Sequence, residues 1–440
     1  MVQSKNKENK MSNLSPQPYK GTRDYYPEDK RIQGYIFSVW KKVSESFGYE
    51  EYGAPILEPL EIYTAKSGKE LAGEQTYTFD DRGGRVVAIR PEMTPSVSRL
   101  VAARRQEMAY PARLYSIANF MRYERPQRGR EREFWQLNVD IFGVDGVQAE
   151  SEVIAMADAI LKAYGASNED YVIKINNRKL INFMMAQYLG LEAVEASLMV
   201  KLFDRRNKIS EGDFEYQARE ILGDNADSGF EKVRGLLNAK SMADLPEEIR
   251  SSSAVLEVQE LFTLLDRAGV ESVTFDITLM RGLDYYTGTV FEVFDTDPDN
   301  NRSLFGGGRY DGLVGLFGAE PISAVGMAPG ATTMENFLNS HNLMPVFISR
   351  TDVYVISLGD TAKASSKLAS DLRKVGLNVE LDVTGRKLDK QIRTASKKQI
   401  ANMIFVGQEE VDSGVYALKN TETQEEQKLS LEEIVSKLKS

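Results

Sequence analysis

The segments Arg113–Tyr123 (RLYSIANFMRY) and Glu133–Phe142 (EFWQLNVDIF) decide the fold. Both are rich in the aromatic and branched residues that favour extended chain, and both read as strands. They are joined by ERPQRGRER, a polar connection containing Pro126 and Gly129. A return to a parallel strand needs a longer crossover, usually a helix. This connection is too short, so the two strands must be antiparallel. The hairpin therefore points to an α+β protein built on an antiparallel sheet, and away from a doubly wound parallel one.

Side chains along a strand alternate between faces. In the second strand Trp135, Leu137, Val139 and Ile141 share an apolar face, while Gln136, Asn138 and Asp140 share the other. Such a polar row is too costly to bury without partners. The pattern leaves two readings open: a solvated edge strand, or the hydrogen-bonding wall of a site. The connection crowds in Arg122, Arg125, Arg128, Arg130 and Arg132. Guanidinium groups bond phosphate oxygens in pairs and stay charged at working pH. The loop suits a polyphosphate or an RNA end. It equally suits a solvated loop balanced by Glu124, Glu131 and Glu133.

Composition narrows the chemistry. The 440 residues carry a net charge of −10, no cysteine and one histidine, His341. Disulfides and thiolate zinc sites are excluded. His341 sits in the polar stretch N-S-H-N and is expected at the surface, which leaves no histidine triad or histidine metal centre. Catalysis must come from arginine, lysine, carboxylates, tyrosine or backbone groups. The acidic total opposes a surface that grips nucleic acid everywhere, but permits local basic patches. No apolar run is long enough to cross a membrane. The polar N-terminus lacks a secretory core, so residues 1–18 read as a disordered tail, with Met11 a second candidate start, and the cytoplasm is the expected compartment. Neither a P-loop nor a dinucleotide fingerprint is present, the run Gly306–Gly312 (GGGRYDG) fitting neither.

Outward from the hairpin, Arg31–Phe47 shows helical spacing with Gly48 as its stop, and Arg85–Arg90 reads as a strand. Glu150–Tyr164 is an amphipathic helix. Residues 180–268 are mostly helical and charged, as an insertion. Strand character returns at Val273–Phe275 and Thr287–Phe294, followed by an expected glycine-rich turn at Gly306–Gly308. From residue 350, strands at Val353–Ile356, Val379–Leu381 and Met403–Val406 alternate with helices, predicting a small α/β domain through residue 440. Its basic helix carries Arg386, Lys387, Lys390, Arg393, Lys397 and Lys398, with Leu388, Ile392 and Ala395 expected to face the core.

Several stretches now coincide with one family. Arg122–Gly143 resembles motif 2 of the class II aminoacyl-tRNA synthetases in its histidyl form. R-P-E-M-T from Arg90, R-G-L-D-Y-Y from Arg281 and F-G-G-G-R-Y-D-G-L from Phe305 resemble that family's signatures. K-G-T-R-D-Y-Y-P from Lys20 resembles its opening, and G-A-P-I-L-E-P from Gly53 resembles motif 1, with Pro55 at the usual dimer-interface position. The resemblance runs from Lys20 to the C-terminus. It implies a catalytic domain over 19–345 with a class II antiparallel sheet flanked by helices, and an anticodon-binding domain over 350–440.

The resemblance also implies roles. Glu92, Thr94 and Gln136 would hold the α-amino group of L-histidine. Asp140 and Tyr286 would bond the imidazole nitrogens, with Tyr285 beside them. For ATP, Arg122 would grip the α-phosphate, Phe134 would stack on adenine, Glu124 would bond the adenine edge, and Arg130 and Arg132 would reach the outer phosphates. Arg281 would sit across the α-phosphate as a fixed cation where charge builds up, a catalytic role it shares with Arg122. Mg2+ would arrive with ATP, without a metal site of the protein's own. Gln127, Arg386, Lys387, Lys390 and Arg393 would touch histidine tRNA, and the chain would form a homodimer. Two departures stand out. Asp140 is shorter than the glutamate often found there. Thr333 stands where motif 3 normally ends in an arginine. A non-catalytic, histidine-binding regulatory paralogue that serves ATP phosphoribosyltransferase is the rival reading.

Overall fold

The structure is a computed structural model and describes residues 14–65, 70–124, 129–239, 241–280, 285–300 and 302–439. The chain divides into two compact units, Met1–Met344 and Pro345–Ser440.

The first unit is organised by an eight-stranded sheet. Its strands are β1 (Glu50–Glu51), β2 (Ala112–Met121), β3 (Glu133–Phe142), β4 (Tyr171–Asn177), β5 (Val273–Phe275), β6 (Thr289–Asp295), β7 (Ser303–Arg309) and β8 (Ala324–Met327). Their order is β1-β2-β3-β8-β7-β6-β4-β5. Every interior pair is antiparallel, and only the end pairs β1–β2 and β4–β5 are parallel. The β2–β3 hairpin is paired from Ala112↔Phe142 to Met121↔Glu133. Since β3 also pairs with β8, it is no edge strand, and the solvated reading of its polar face fails.

The odd-numbered face of β3 does what its pattern demands. Leu137, Val139 and Ile141 pack with Ile36, Trp40 and Val43 of the helix Pro27–Ser46 and with Val153, Ile154 and Ile160 of the helix Gln148–Ala163. The first of these helices begins a turn before the apolar spacing does. Pro27 sits at its first turn, where a missing N–H costs nothing, followed by the acidic Glu28 and Asp29. Gly48, at φ +80°, ends it. The helices between Arg178 and Arg267 build a second core around Leu202, Phe203, Phe214 and Val233.

Two expectations fail for identifiable reasons. Gly306–Gly308 is not a turn but the middle of β7. A Cβ on Gly307 would lie 2.2 Å from the Gly326 carbonyl, and one on Gly308 2.5 Å from the Thr289 carbonyl. Here glycine serves close strand approach and not chain reversal. His341 is not a surface residue. Its side chain is only 14 % exposed, with one ring nitrogen 2.7 Å from Asp295 and the other 3.1 Å from Asp170. Both partners are distant in sequence, so no local pattern could reveal them.

The second unit carries β9 (Val353–Ser357), β10 (Val379–Leu381), β11 (Asn402–Val406), β12 (Val415–Asn420) and β13 (Glu426–Ser430), ordered β10-β9-β11-β12-β13. The first three are parallel, and β12 and β13 add antiparallel strands. In the basic helix Leu388–Lys397, Ala395 is buried as expected but Leu388 is 41 % exposed. Gln391 takes the inward place, bonding Ser357 N, Ser357 O and Arg386 O.

One buried ion pair ties the first unit's sheet to its helix layer. Arg309, on β7, bonds both carboxylate oxygens of Glu150 at 2.7 and 2.6 Å, and also the Val144 and Gly146 carbonyls. Both side chains are almost wholly buried. Glu150→Ala strands the guanidinium and is expected to destabilise this unit by about 3–5 kcal/mol. Urea unfolding followed by tryptophan fluorescence measures it, because both tryptophans, Trp40 and Trp135, lie in this unit.

Candidate active site

The even-numbered face of β3 opens on a cleft of about 640 Å³, within the ordinary range for small-molecule sites. Phe134, Gln136, Asn138 and Asp140 follow one another along its floor. At β3's rise, Phe134 and Asp140 lie about 20 Å apart. The cleft is therefore long enough to read a ligand in separate parts.

The Asp140 end is buried. Tyr310, from the strand-to-turn junction after β7, donates its hydroxyl to Asp140 Oδ1. Asp140 Oδ2 is buried with no partner among the described residues. Burial raises the Asp140 pKa to about 7, against the lowering effect of the Tyr310 bond. Gly326 faces Asp140 across the β3–β8 ladder, and a Cβ there would collide with Asp140 Oδ1. Tyr285 donates to Glu92 Oε2 at 3.0 Å and stacks edge-on against Tyr286 and Tyr310. Burial raises the pKa of all three tyrosines, so they remain hydroxyl donors. This end combines one unpaired carboxylate oxygen with neutral phenols, which suits a polar ring bearing an N–H.

Glu92 and Thr94 reach the wall because Arg90 anchors their loop. Its guanidinium bonds the Ala54 and Asn119 carbonyls and Asn119 Oδ1. Arg122 bonds the Pro91 carbonyl in the same loop at 2.9 Å, and its guanidinium lies 5.2 Å from the Phe134 ring centre.

The opposite end carries the charges suited to phosphate. Arg122 and Arg130 line it, with Arg130 paired to Glu124 at 3.2 Å and largely exposed. Arg132 is placed elsewhere. It is buried on Tyr123, 4.1 Å from the ring centre, and bonds Tyr19 Oη, Lys20 O and Glu124 O. The segment before the helix Ala331–Ser340 docks on β3 through Leu137 N to Pro329 O, which brings Thr332 and Thr333 to the wall. Thr333 bonds Gly330 O within its own turn. Beside it, Arg23 bridges Glu131 at 3.3 Å and Glu335 at 2.8 Å. Burial raises the Glu131 pKa.

The cleft thus gathers Glu92, Thr94, Arg122, Glu124, Arg130, Phe134, Gln136, Asp140, Tyr285 and Tyr286, all expected from sequence. Arg281 and Gln127 lie outside the described residues. Tyr310 and Asn138 also stand on the wall and were not among the residues expected there. Tyr310 sits in the quoted G-R-Y-D-G stretch, whose glycines drew attention from the tyrosine. Asn138 was visible on the polar face of β3 but was given no role. In the second unit Lys387, Lys390 and Arg393 are exposed, and Arg386 pairs with Asp382.

The comparisons with known proteins agree with this geometry. A family profile described as "Histidyl-tRNA synthetase" matches residues 21–333, and one described as "Anticodon binding domain" matches residues 352–440. The Histidine--tRNA ligase of Leptospira biflexa is 40% identical over 434 residues, covering 98% of this chain and 99% of its own. That of Haloarcula marismortui is 35% identical over 417 residues, covering 92% and 94%. In fold, the histidyl-tRNA synthetase structure from Nostoc sp. PCC 7120 superposes with a TM-score of 0.81 at 23% identity, over 97% of this chain and 99% of that one. The apo S. aureus enzyme gives 0.73 at 25% identity, over 97% and 100%. With the profile match spanning the sheet, the insertion and the cleft, and relatives this similar along nearly their whole length, the chain belongs to the histidyl-tRNA synthetase family.

Proposed function

We propose that the protein is a histidine–tRNA ligase, which joins L-histidine to ATP as histidyl-adenylate with release of pyrophosphate and then transfers histidine to the 3′ end of its tRNA. The observation that carries this reading is the polarised cleft. The unpaired Asp140 oxygen and the tyrosines suit an imidazole at one end, and Arg122 and Arg130 suit a triphosphate at the other. Histidine's carboxylate oxygen attacks the α-phosphorus while pyrophosphate leaves. The attacking group is already ionised, so no protein proton is moved. The work consists of alignment and of stabilising charge on the phosphoryl oxygens, by Arg122 and, on the family resemblance, Arg281. Tyr286 pairs with one ring nitrogen and Asp140 with the other, while Glu92, Thr94 and Gln136 take the ammonium. Mg2+ would arrive with ATP and offset charge on its phosphates, and Glu124 and Glu131 are the wall carboxylates that would stand near it. Arg132 fits the role of bracing the loop better than that of meeting phosphate.

Relatives named Histidine--tRNA ligase match the chain through both units, including the anticodon-type domain, and this disfavours the regulatory paralogue. Exposed Leu57, Phe79 and Val86 on the small sheet Leu57–Pro59, Tyr77–Asp80 and Val86–Ile89, with Ile56 just before it, suit a second copy, so a homodimer is part of the proposal. No described helix is long and apolar enough to cross a membrane, and a cytoplasmic site of action is proposed.

Histidine-dependent ATP–pyrophosphate exchange, followed by charging of histidine tRNA, tests the reading. Folded protein that shows no exchange would overturn it. Arg281→Ala is expected to lower exchange at least about a hundredfold with an unchanged unfolding transition. Near-normal exchange by that variant would remove Arg281 from the chemistry.

The Asp140 pKa adds a pH signature. Its folded value near 7 exceeds the ordinary carboxylate value. The stabilisation from the protonated group is complete below about pH 4 and is lost as pH rises through about 7. Recognition runs the other way, because the ring N–H needs an ionised acceptor. The KM for histidine should fall as pH rises through about 7 in the wild type. Asp140→Asn should lose that step, keeping only the titration of free histidine, and should show a higher KM at alkaline pH.

The basic helix is testable separately. Lys390→Glu with Arg393→Glu should raise the KM for tRNA by at least about tenfold, in a salt-dependent way, and leave pyrophosphate exchange unchanged.

A further inference from the structure

Asn138 lies on the cleft wall between the residues proposed for the ammonium and the one proposed for the imidazole, and the reading above gives it no task. It is 2 % exposed, so its amide has little access to water and its partners decide its orientation. Its Oδ1 accepts a hydrogen bond from Gln136 Nε2 at 3.1 Å. Its own Nδ2 donates to no acceptor among the described residues, and no described donor serves Gln136 Oε1.

A glutamine amide has one oxygen and one nitrogen at nearly equal reach, and only the oxygen can receive an ammonium. With the nitrogen turned to the cleft, N–H groups would face N–H groups. Asn138 and Gln136 can pair in two ways. In one, Gln136 donates to Asn138 and leaves Gln136 Oε1 for the ligand. In the other, Asn138 donates to Gln136, which draws that oxygen toward Asn138 and turns the Gln136 NH2 to the cleft. The structure holds the first arrangement. Period two places both side chains on the same face, so the pairing is built into the strand.

From this geometry we infer that Asn138 is a positioning residue for the α-ammonium of the amino-acid substrate, acting by fixing the Gln136 amide with its oxygen toward the cleft. It touches Gln136 and not the reacting atoms, so its role is orientation and not catalysis. The inference rests on the ligase reading and refines how that site recognises an amino acid.

Three variants and one analogue test it by pyrophosphate exchange. Asn138→Ala frees the Gln136 amide. It is expected to raise the KM for histidine by about tenfold, the scale of one hydrogen bond to a charged group, while the KM for ATP stays within about twofold. Imidazolepropionate, which lacks the ammonium, should inhibit the wild type and Asn138→Ala equally. Asn138→Asp can only accept, so it locks the observed arrangement and should keep the KM for histidine within about twofold. Adding Gln136→Glu to Asn138→Ala presents an oxygen in either orientation and should recover most of the lost affinity.

An unchanged histidine KM in Asn138→Ala would overturn the inference. So would an equal loss for imidazolepropionate, which marks a general packing role, or a large KM increase in Asn138→Asp, which marks Asn138 as a donor to the ligand. Asn138→Asp preserves side-chain volume and decides the matter even where the alanine variant folds poorly. Absence of exchange in the wild type would instead strike the ligase reading itself.

Discussion

The molecule depends on one constraint: β3 is an interior strand whose two faces are both buried, yet one of them is polar. An apolar face on helices is easily satisfied, and Leu137, Val139 and Ile141 meet that demand. The other face places Gln136, Asn138 and Asp140 out of bulk water. Each must find a partner or be held for a ligand. Gln136 and Asn138 partly satisfy each other, and Tyr310 satisfies half of Asp140. What remains unsatisfied is an inventory of what the ligand must bring. Asp140 Oδ2 is the buried oxygen left without a donor among the described residues, and on the proposed reading a ring N–H would supply one. On the proposed reading, a buried acceptor of this kind would also select against amino acids that lack the matching donor.

The surroundings follow from keeping that strip intact. Glycines at 307, 308 and 326 let β6, β7 and β8 approach without side chains between them, and Gly326 leaves room for the Asp140 carboxylate. The Arg309–Glu150 pair clamps the residue next to Tyr310 against the helix layer. Arg90 fixes the loop that delivers Glu92 and Thr94. Arg309, Glu150 and Arg90 do not line the cleft themselves. They limit the freedom of those that do, which is where much of the rate and specificity of an alignment-driven reaction arises.

Legibility in the sequence followed the range of the interactions. The hairpin was readable because strand alternation and a short polar connection are local, and β3 ended where its pattern ended. The buried end of the cleft was readable only through motif resemblance, since Tyr285 reaches Glu92, and Tyr310 reaches Asp140, from far along the chain. Gly306–Gly308 misled because glycine serves turns and close approach alike, and the choice lies in β6 and β8, not in the run itself. His341 misled because Asp170 and Asp295 come from other elements. Arg132 misled because composition cannot tell an arginine aimed at phosphate from one stacked on Tyr123.

The position of Thr333 sharpens the electrostatic problem at the phosphate end. A short hydroxyl side chain there brings no charge, and its oxygen already bonds Gly330. Glu124 and Glu131 also stand on this wall, so two of its cations do not meet an otherwise neutral surface. Arg130 pairs with Glu124, and Arg23 spans Glu131 and Glu335. Glu124 and Glu131 on this wall therefore each have an arginine partner that offsets their charge. The resulting field is graded along β3: unpaired carboxylate at the Asp140 end, guanidinium at the Arg122 end. On the proposed reading, an amino acid held at the first end by its ring and ammonium would extend its carboxylate toward the second. The polarity of one strand face would then set the direction in which the two proposed substrates meet.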